Sequence, residues 1–252
     1  SDSMTIAGDF NMAGGFIGQG ALAFNGTNEE METSANFDEM ADTDKFTFET
    51  WVKTDDDGAL MSRRASWGVG NIMLYIGSDG TVRIAPYGFT VTNVQGADGI
   101  LDGSYGIIYN IDMRDDKWHH YVATYDTVTL KLYVDGKLKV TGDATDGIST
   151  QSTGAFLGAR GGADFFDGKM ARASFWNNAL TETEIRQMMF YDWAAVSGSS
   201  IDQTDCIAWY EFSDAQNATT ITDMSGSGST GTLTATDAWA GPGTFNKGTS
   251  TL

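Results

Sequence analysis

Thr129-Leu130-Lys131-Leu132-Tyr133-Val134-Asp135-Gly136-Lys137-Leu138-Lys139-Val140 decides the fold. Successive side chains of a strand point to opposite faces, so Leu130, Leu132 and Val134 share one side and Lys131, Tyr133 and Asp135 the other. Asp-Gly between two such runs marks a tight hairpin, because both turn residues must accept a positive φ. The same alternation recurs in Phe46–Lys53, where Phe46, Phe48 and Val52 oppose Glu49, Trp51 and Lys53, and again at Ile72, Leu74 and Ile76. Further Asp-Gly pairs stand at 57–58, 79–80, 98–99, 102–103, 146–147 and 167–168. Short half-buried strands joined at this spacing predict an all-β, antiparallel two-sheet sandwich.

Composition agrees. Of 252 residues, 41% are apolar and 30 are aromatic, enough to fill one large core, and Gly is plentiful (31) while Pro is rare (2). The only cysteine, Cys206, excludes an intrachain disulfide and reads as a small core residue. The net charge of −19 repels phosphate backbones and anionic lipid, which argues against nucleic-acid partners and membrane insertion. It suits a saline or calcium-rich exterior. No apolar run is long enough for a membrane span, and no signal peptide is recognisable.

One short helix is expected. Thr181-Glu182-Thr183-Glu184 has the form of a capping box, with Leu180 and Ile185 placed as a hydrophobic staple. Ile185, Met188 and Met189 then form a stripe suited to docking on the sandwich. Residues 194–204 read as a loop. The strand-like Cys206–Phe212 follows, and 213–252 is a Gly/Ser/Thr-rich tail.

The ordered motifs resemble the laminin-G-like, concanavalin A-like lectin/glucanase jelly roll. The resemblance rests on Gly20–Thr27, Phe46–Val52, Trp118–Asp126, Leu132–Lys137, Phe156-Leu157-Gly158, Phe166–Met170 and Ala179-Leu180-Thr181. It implies a lead-in strand at 1–15 and a laminin-G-like sandwich at 16–193. The remaining segments are the loop 194–204 and a tail 205–252 that completes the sandwich or starts another module. Ala208–Phe212 and Thr222–Gly228 resemble the strand that usually opens such a domain, although here they come last. The sequence at both ends resembles β-repeats of phage and bacterial surface proteins, which suggests a virion or cell-surface setting.

Some members of that superfamily hydrolyse glycosides with paired carboxylates on one strand face. The Glu-x-Asp-x-x-Glu spacing this requires is missing: Glu30 and Glu32 alternate, but no third acid follows. His119 and His120, the only histidines, point to opposite strand faces and cannot share a metal. No serine-nucleophile elbow and no nucleotide-binding fingerprint occurs. Thr54–Gly58 fails as an EF-hand, because the final ligand position falls on Arg64, and reads instead as an acidic hairpin tip. The expectation is therefore a non-catalytic recognition or adhesion module that binds a glycan or surface protein. The alternative is a structural display or cement module assembling into a larger particle or homo-oligomer, with a glycosidase third. Candidate ligand-binding aromatics are Trp67, Tyr87, Tyr105 and Tyr109. One structural Ca2+ is allowed for, with Asp223, Asp164 and Asp167 as candidate ligands. Beside the pentraxin members' paired calcium site, Asn71 matches their Asn, but Gly70 stands where they carry Asp.

Overall fold

A computed structural model describes residues 20–63, 70–103, 106–150, 154–214 and 218–234, together with the backbone of 239–240. In chain order the first strands are β1 (Ala21–Asn25), β2 (Met31–Thr33), β3 (Phe46–Lys53), β4 (Gly58–Arg63), β5 (Ile72–Ile76) and β6 (Thr81–Pro86). Next come β7 (Thr90–Gln95), β8 (Gly99–Asp102), β9 (Gly106–Asp112), β10 (Trp118–Tyr125), β11 (Thr129–Val134) and β12 (Lys137–Thr145). The last are β13 (Ala155–Leu157), β14 (Asp167–Trp176), β15 (Cys206–Tyr210), β16 (Thr220–Ile221), β17 (Gly231–Leu233) and β18 (Trp239–Ala240).

They make two nine-stranded antiparallel sheets. The first runs β18-β1-β14-β3-β10-β11-β12-β7, with β15 also on β14, and the second runs β16-β17-β2-β13-β4-β5-β6-β9-β8. The deciding hairpin is β11–β12, with Asp135 at φ 51° and Gly136 at φ 68°. Between the sheets lies one core. Phe46, Phe48, Val52, Leu130, Leu132 and Val134 face Met61, Leu74, Ile84 and Ile107, all within 2% of complete burial. The expected strand faces are therefore those observed.

Thr54–Asp57 is not a hairpin tip, because it joins β3 of the first sheet to β4 of the second. Gly58 makes that crossing possible. At φ +127° a Cβ there would lie 2.4 Å from the Phe166 Cα. Asp-Gly chemistry signalled a change of chain direction without saying which sheet received the next strand.

The tail strands pair into both sheets. β16 and β17 extend the second sheet beyond β2, and β15 pairs with the far half of β14. β1 pairs with the near half of the same β14 edge, Asn25↔Asp167 through Leu22↔Met170, while β15 takes Ala173↔Tyr210 through Trp176↔Cys206. One strand position is thus shared, end to end, by the first and a late segment of the chain. Gly20 sits where they abut, and a Cβ there would meet the Phe212 carbonyl oxygen at 2.0 Å.

Among the described residues three α-helices are present, two more than expected: α1 (Glu39–Thr43), α2 (Glu182–Met188) and α3 (Trp193–Val196). The capping box of α2 forms as read, with the Thr181 hydroxyl accepting from the Glu184 amide and the Glu184 carboxylate accepting from the Thr181 amide. The other two are single turns. α3 occupies the start of the predicted loop because Asp192 caps it, accepting from Ala195 N at 2.7 Å. Ile185, Met188, Val196 and Ile201 cover the outer face of the first sheet against Val122, Tyr133, Trp176 and Trp209. Among the described residues no helix is long and apolar enough to cross a membrane.

Candidate functional site

The chain concentrates polar groups in two very different places. One lies under α2 and α3, on the outer face of the first sheet. Glu49 of β3 is fully buried there and accepts from Ser174 Oγ at 2.7 Å, Arg172 Nε at 3.1 Å and His120 Nε2 at 2.8 Å. The Arg172 guanidinium also donates to the Tyr191 carbonyl and lies 4.9 Å from the Trp209 ring. Arg172 reaches this face through a β-bulge: Met170 pairs with Val52 and Arg172 with Trp51, leaving Ala171 extra. Burial alone would raise the Glu49 carboxyl, but the Arg172 charge and the His120 and Arg172 hydrogen bonds overcome it and hold the group at about 2. Burial pushes the His120 imidazole down, despite the Glu49 bond. With Glu49 ionised, His120 is a neutral donor. No substrate reaches groups this deeply enclosed, so the arrangement acts as a packed polar clasp.

The neighbouring His119 differs in every respect. Its side chain lies on the opposite face, Nδ1 3.0 Å from Asp135 and Nε2 3.2 Å from Asp115. Two carboxylates raise its pKa against the opposing effect of burial. Both ring nitrogens can donate only in the protonated form.

The second place is open. After β6 the chain leaves the second sheet, runs as β7 along the edge of the first, and returns as β8 to the edge of the second. A groove of about 420 Å³ lies along this crossover, lined by Gln95, Gly96, Ala97, Asp98, Tyr109, Leu138, Lys139 and Thr141. That volume falls within the range of about 300–1,000 Å³ common for small-ligand sites. Two irregularities shape it. On β12, Val140 pairs with Leu132 and Leu138 with Tyr133, which leaves Lys139 as the extra residue of a bulge. On β7, the register slips between the Gln95↔Thr141 and Thr92↔Asp143 pairs, around Asn93 at φ 50°. Bulges re-aim side chains, and the Lys139 ammonium lies 5.2 Å from the centroid of the Tyr109 ring. Gly96, at φ +133°, lets the crossover touch the bulge, since a Cβ there would lie 2.2 Å from the Lys139 carbonyl oxygen. Exposed apolar side chains gather nearby. Leu138 lines the groove, Ile111 lies two residues beyond Tyr109, and Ile100 and Leu101 are on β8.

Of the predicted aromatics, Tyr109 lies in this groove. Tyr87 is half-buried in the turn after β6, its amide donating to the Asn71 carbonyl and its carbonyl accepting from Gly70 N, away from the groove lining. Trp67 and Tyr105 fall outside the described residues. Gln95, Asp98, Lys139 and Thr141 were not anticipated. The Asp98-Gly99 signal and the polar Lys137–Lys139 segment pointed near them, but the bulges that bring them together leave no mark in periodicity.

The predicted metal-site acids are dispersed. The Asp223 carboxylate accepts from the Trp209, Ser225 and Ser229 amides and the Ser225 and Ser227 hydroxyls, pinning the tail loop to β15. These donors aim hydrogens at its oxygens, opposite to the arrangement a cation needs. Asp164 is paired with Arg160 at 2.7 Å. Asp167 is exposed, and slight burial together with Asp56 and Asp55 raises its carboxyl. Asn71 is fully buried. Among the described residues no three His, Cys, Asp or Glu side chains cluster as metal ligands.

A two-sheet antiparallel jelly roll with its open groove at the sheet-to-sheet crossover is the class these features define. The chain belongs to the concanavalin A-like lectin/glucanases superfamily, whose profile matches residues 25–186. No curated protein matches the sequence. Among solved structures it is similar to a protein of Bacteroides ovatus ATCC 8483, provisionally described as carbohydrate binding (21% identity, TM-score 0.60). That match covers 86% of this chain, which spans 59% of the length of the Bacteroides chain. It is also similar to a heptameric SAP-like pentraxin of Limulus polyphemus (16% identity, TM-score 0.47), covering 69% of this chain and 82% of that one. The CBM40 of a Ruminococcus gnavus IT-sialidase, solved with α2,3 sialyllactose, gives 18% identity and a TM-score of 0.47, covering 69% of this chain and all of that one.

Proposed function

We propose that this domain is a non-catalytic carbohydrate-recognition module and that the crossover groove is its binding site. The observation that carries the reading is the composition of that groove. The Tyr109 ring and the Leu138 side chain offer apolar surface for the C–H face of a sugar, while Gln95, Thr141 and Asp98 offer hydroxyl-bonding groups beside them. Asp98 is the sole carboxylate among the lining residues, whereas glycoside hydrolysis needs two flanking the scissile bond. The setting proposed with this reading is a virion or cell surface, where an acidic chain stays soluble and repels anionic neighbours. Antibody labelling of intact source particles or cells tests that setting.

Glycan-array screening followed by calorimetry tests the function. Tyr109→Ala should weaken any glycan found by about tenfold, the cost of one lost packing and hydrogen-bonding contact. Unchanged affinity in Tyr109→Ala and in Gly96→Val would remove the groove as the site, and array silence would remove the glycan reading.

A further inference from the structure

We propose that the groove selects a carboxylated sugar, whose carboxylate is met by the Lys139 ammonium. The inference rests on the carbohydrate reading of this groove and adds the class of sugar. Its basis is where the chain leaves a positive charge unmet. The sequence has 34 acidic and 15 basic residues, so a cation here has carboxylates in excess around it. All six described arginines are ion-paired with carboxylates: Arg63, Arg83, Arg114, Arg160, Arg172 and Arg186. Lys53, Lys117 and Lys131 are paired too, whereas Lys45, Lys137, Lys139 and Lys169 form no salt bridge among the described residues; of these four only Lys139 lines the groove.

Lys139 has no carboxylate in ion-pair contact among the described residues, although Asp98 lines the same groove. What holds it is the Tyr109 ring, 5.2 Å from Nζ. A ring fixes an ammonium without neutralising it and leaves the outward hydrogens of Nζ free to donate. Its position comes from the bulge, which adds Lys139 as the residue between the core-facing Val140 and the groove-lining Leu138. Asp98 stands on the crossover wall, where it can accept from sugar hydroxyls.

The chain's overall charge opposes an anion at long range. At physiological salt that field is screened over about 8 Å, so contact with Lys139 decides. Unshared groups of this kind are what an acidic sugar recognises: a hydroxyl acceptor on the crossover segment and an ammonium on the bulge, both lining the groove.

Titration of the isotope-labelled full chain by NMR, using matched methyl glycosides (glucose against glucuronate, galactose against galacturonate), tests this. The carboxylated member of at least one pair should bind about tenfold more tightly, the size of one charge-assisted hydrogen bond. Lys139→Met keeps the stem over the ring and should abolish that difference between the two members of the pair. Lys139→Arg should retain it. Equal binding of both members, or tighter binding of the neutral one, would overturn the carboxylate proposal and leave the carbohydrate reading standing. No perturbation of groove amides by any pair would count against both.

Discussion

The clasp under the helices and the groove at the crossover use the same device for opposite ends. Each depends on a one-residue bulge, at Ala171 in one and Lys139 in the other, that delivers a cation to a place regular alternation would not reach. Arg172 arrives beside a carboxylate, a hydroxyl and an imidazole, bonds the carboxylate and the Tyr191 carbonyl, and is sealed from solvent. Lys139 arrives beside an aromatic ring and an open channel. The clasp is a dense cluster of ionisable groups, one carboxyl held at about 2, whose Glu49, Arg172 and Ser174 bonds are made within the protein. The groove is the complement: in the proposed reading it binds through groups, such as the Lys139 ammonium, that the fold leaves without an ion-pair partner.

The comparison breaks most readily at Glu49. Glu49→Ala strands the Arg172 charge in a sealed site and should cost about 3–5 kcal/mol. At about 2–4 °C per kcal/mol, Tm should fall by roughly 6–20 °C in calorimetry. A loss under about 1 kcal/mol would mean the clasp is not the closed unit described.

Gly96→Val comes next, at about 1–3 kcal/mol for a β-branched residue at positive φ against the Lys139 carbonyl. Its urea midpoint should fall modestly while sugar binding disappears. A variant that binds normally would show that the crossover's contact with the bulge is incidental.

pH sharpens the contrast between the two histidines. The Glu49 carboxyl is depressed from 4.5 to about 2, so its contribution is present above pH 4.5 and is lost as pH falls through 2. His120 is also depressed, so its neutral buried form supports folding above its ordinary 6.5 and opposes it progressively below. His119 is raised: its contribution is complete below 6.5 and declines as pH climbs through its higher value. Urea midpoints across pH should therefore fall steeply on the acid side and shallowly on the alkaline side. His119→Gln should flatten the alkaline limb and also reduce the part of the acid-side loss carried by Asp135 and Asp115, whose carboxyls His119 helps hold down.

The smallest effects belong to Lys139 and to metal. Lys139→Met should leave Tm within about 1 °C, as is usual for surface positions. Chelation should also leave Tm unchanged, because both Asp223 oxygens and one Asp164 oxygen already accept from donors of the chain. A drop after chelation would locate a cation elsewhere.

Much of this architecture was legible beforehand. Leu130, Leu132 and Val134 announced their face by alternation, Asp135-Gly136 announced its turn, and Thr181 with Glu184 announced the helix start. In each case the signal lies within a few consecutive residues. The rest was hidden for one reason: it depends on register between segments far apart. Glu49 looked like an ordinary outward strand acid, and nothing near it in sequence reveals Arg172 or Ser174. Tyr109 could be picked out as an aromatic near a Gly-rich stretch, but Lys139 above it could not, since a bulge is a mismatch between two strands and has no signature in either.

The strand position shared by β1 and β15 has a consequence for how the molecule is made. The near half of the β14 edge can be occupied early, but its far half must wait for a strand beginning at Cys206. At about 5–20 residues per second, the 30 residues from Trp176 to Cys206 keep that half waiting for about 2–6 s after β14 itself has been made. Throughout that interval β14 would present a half-bare edge, and the clasp would lack Trp209 over Arg172. Completion of this domain is therefore set by the arrival of a late segment at a place reserved beside an early one.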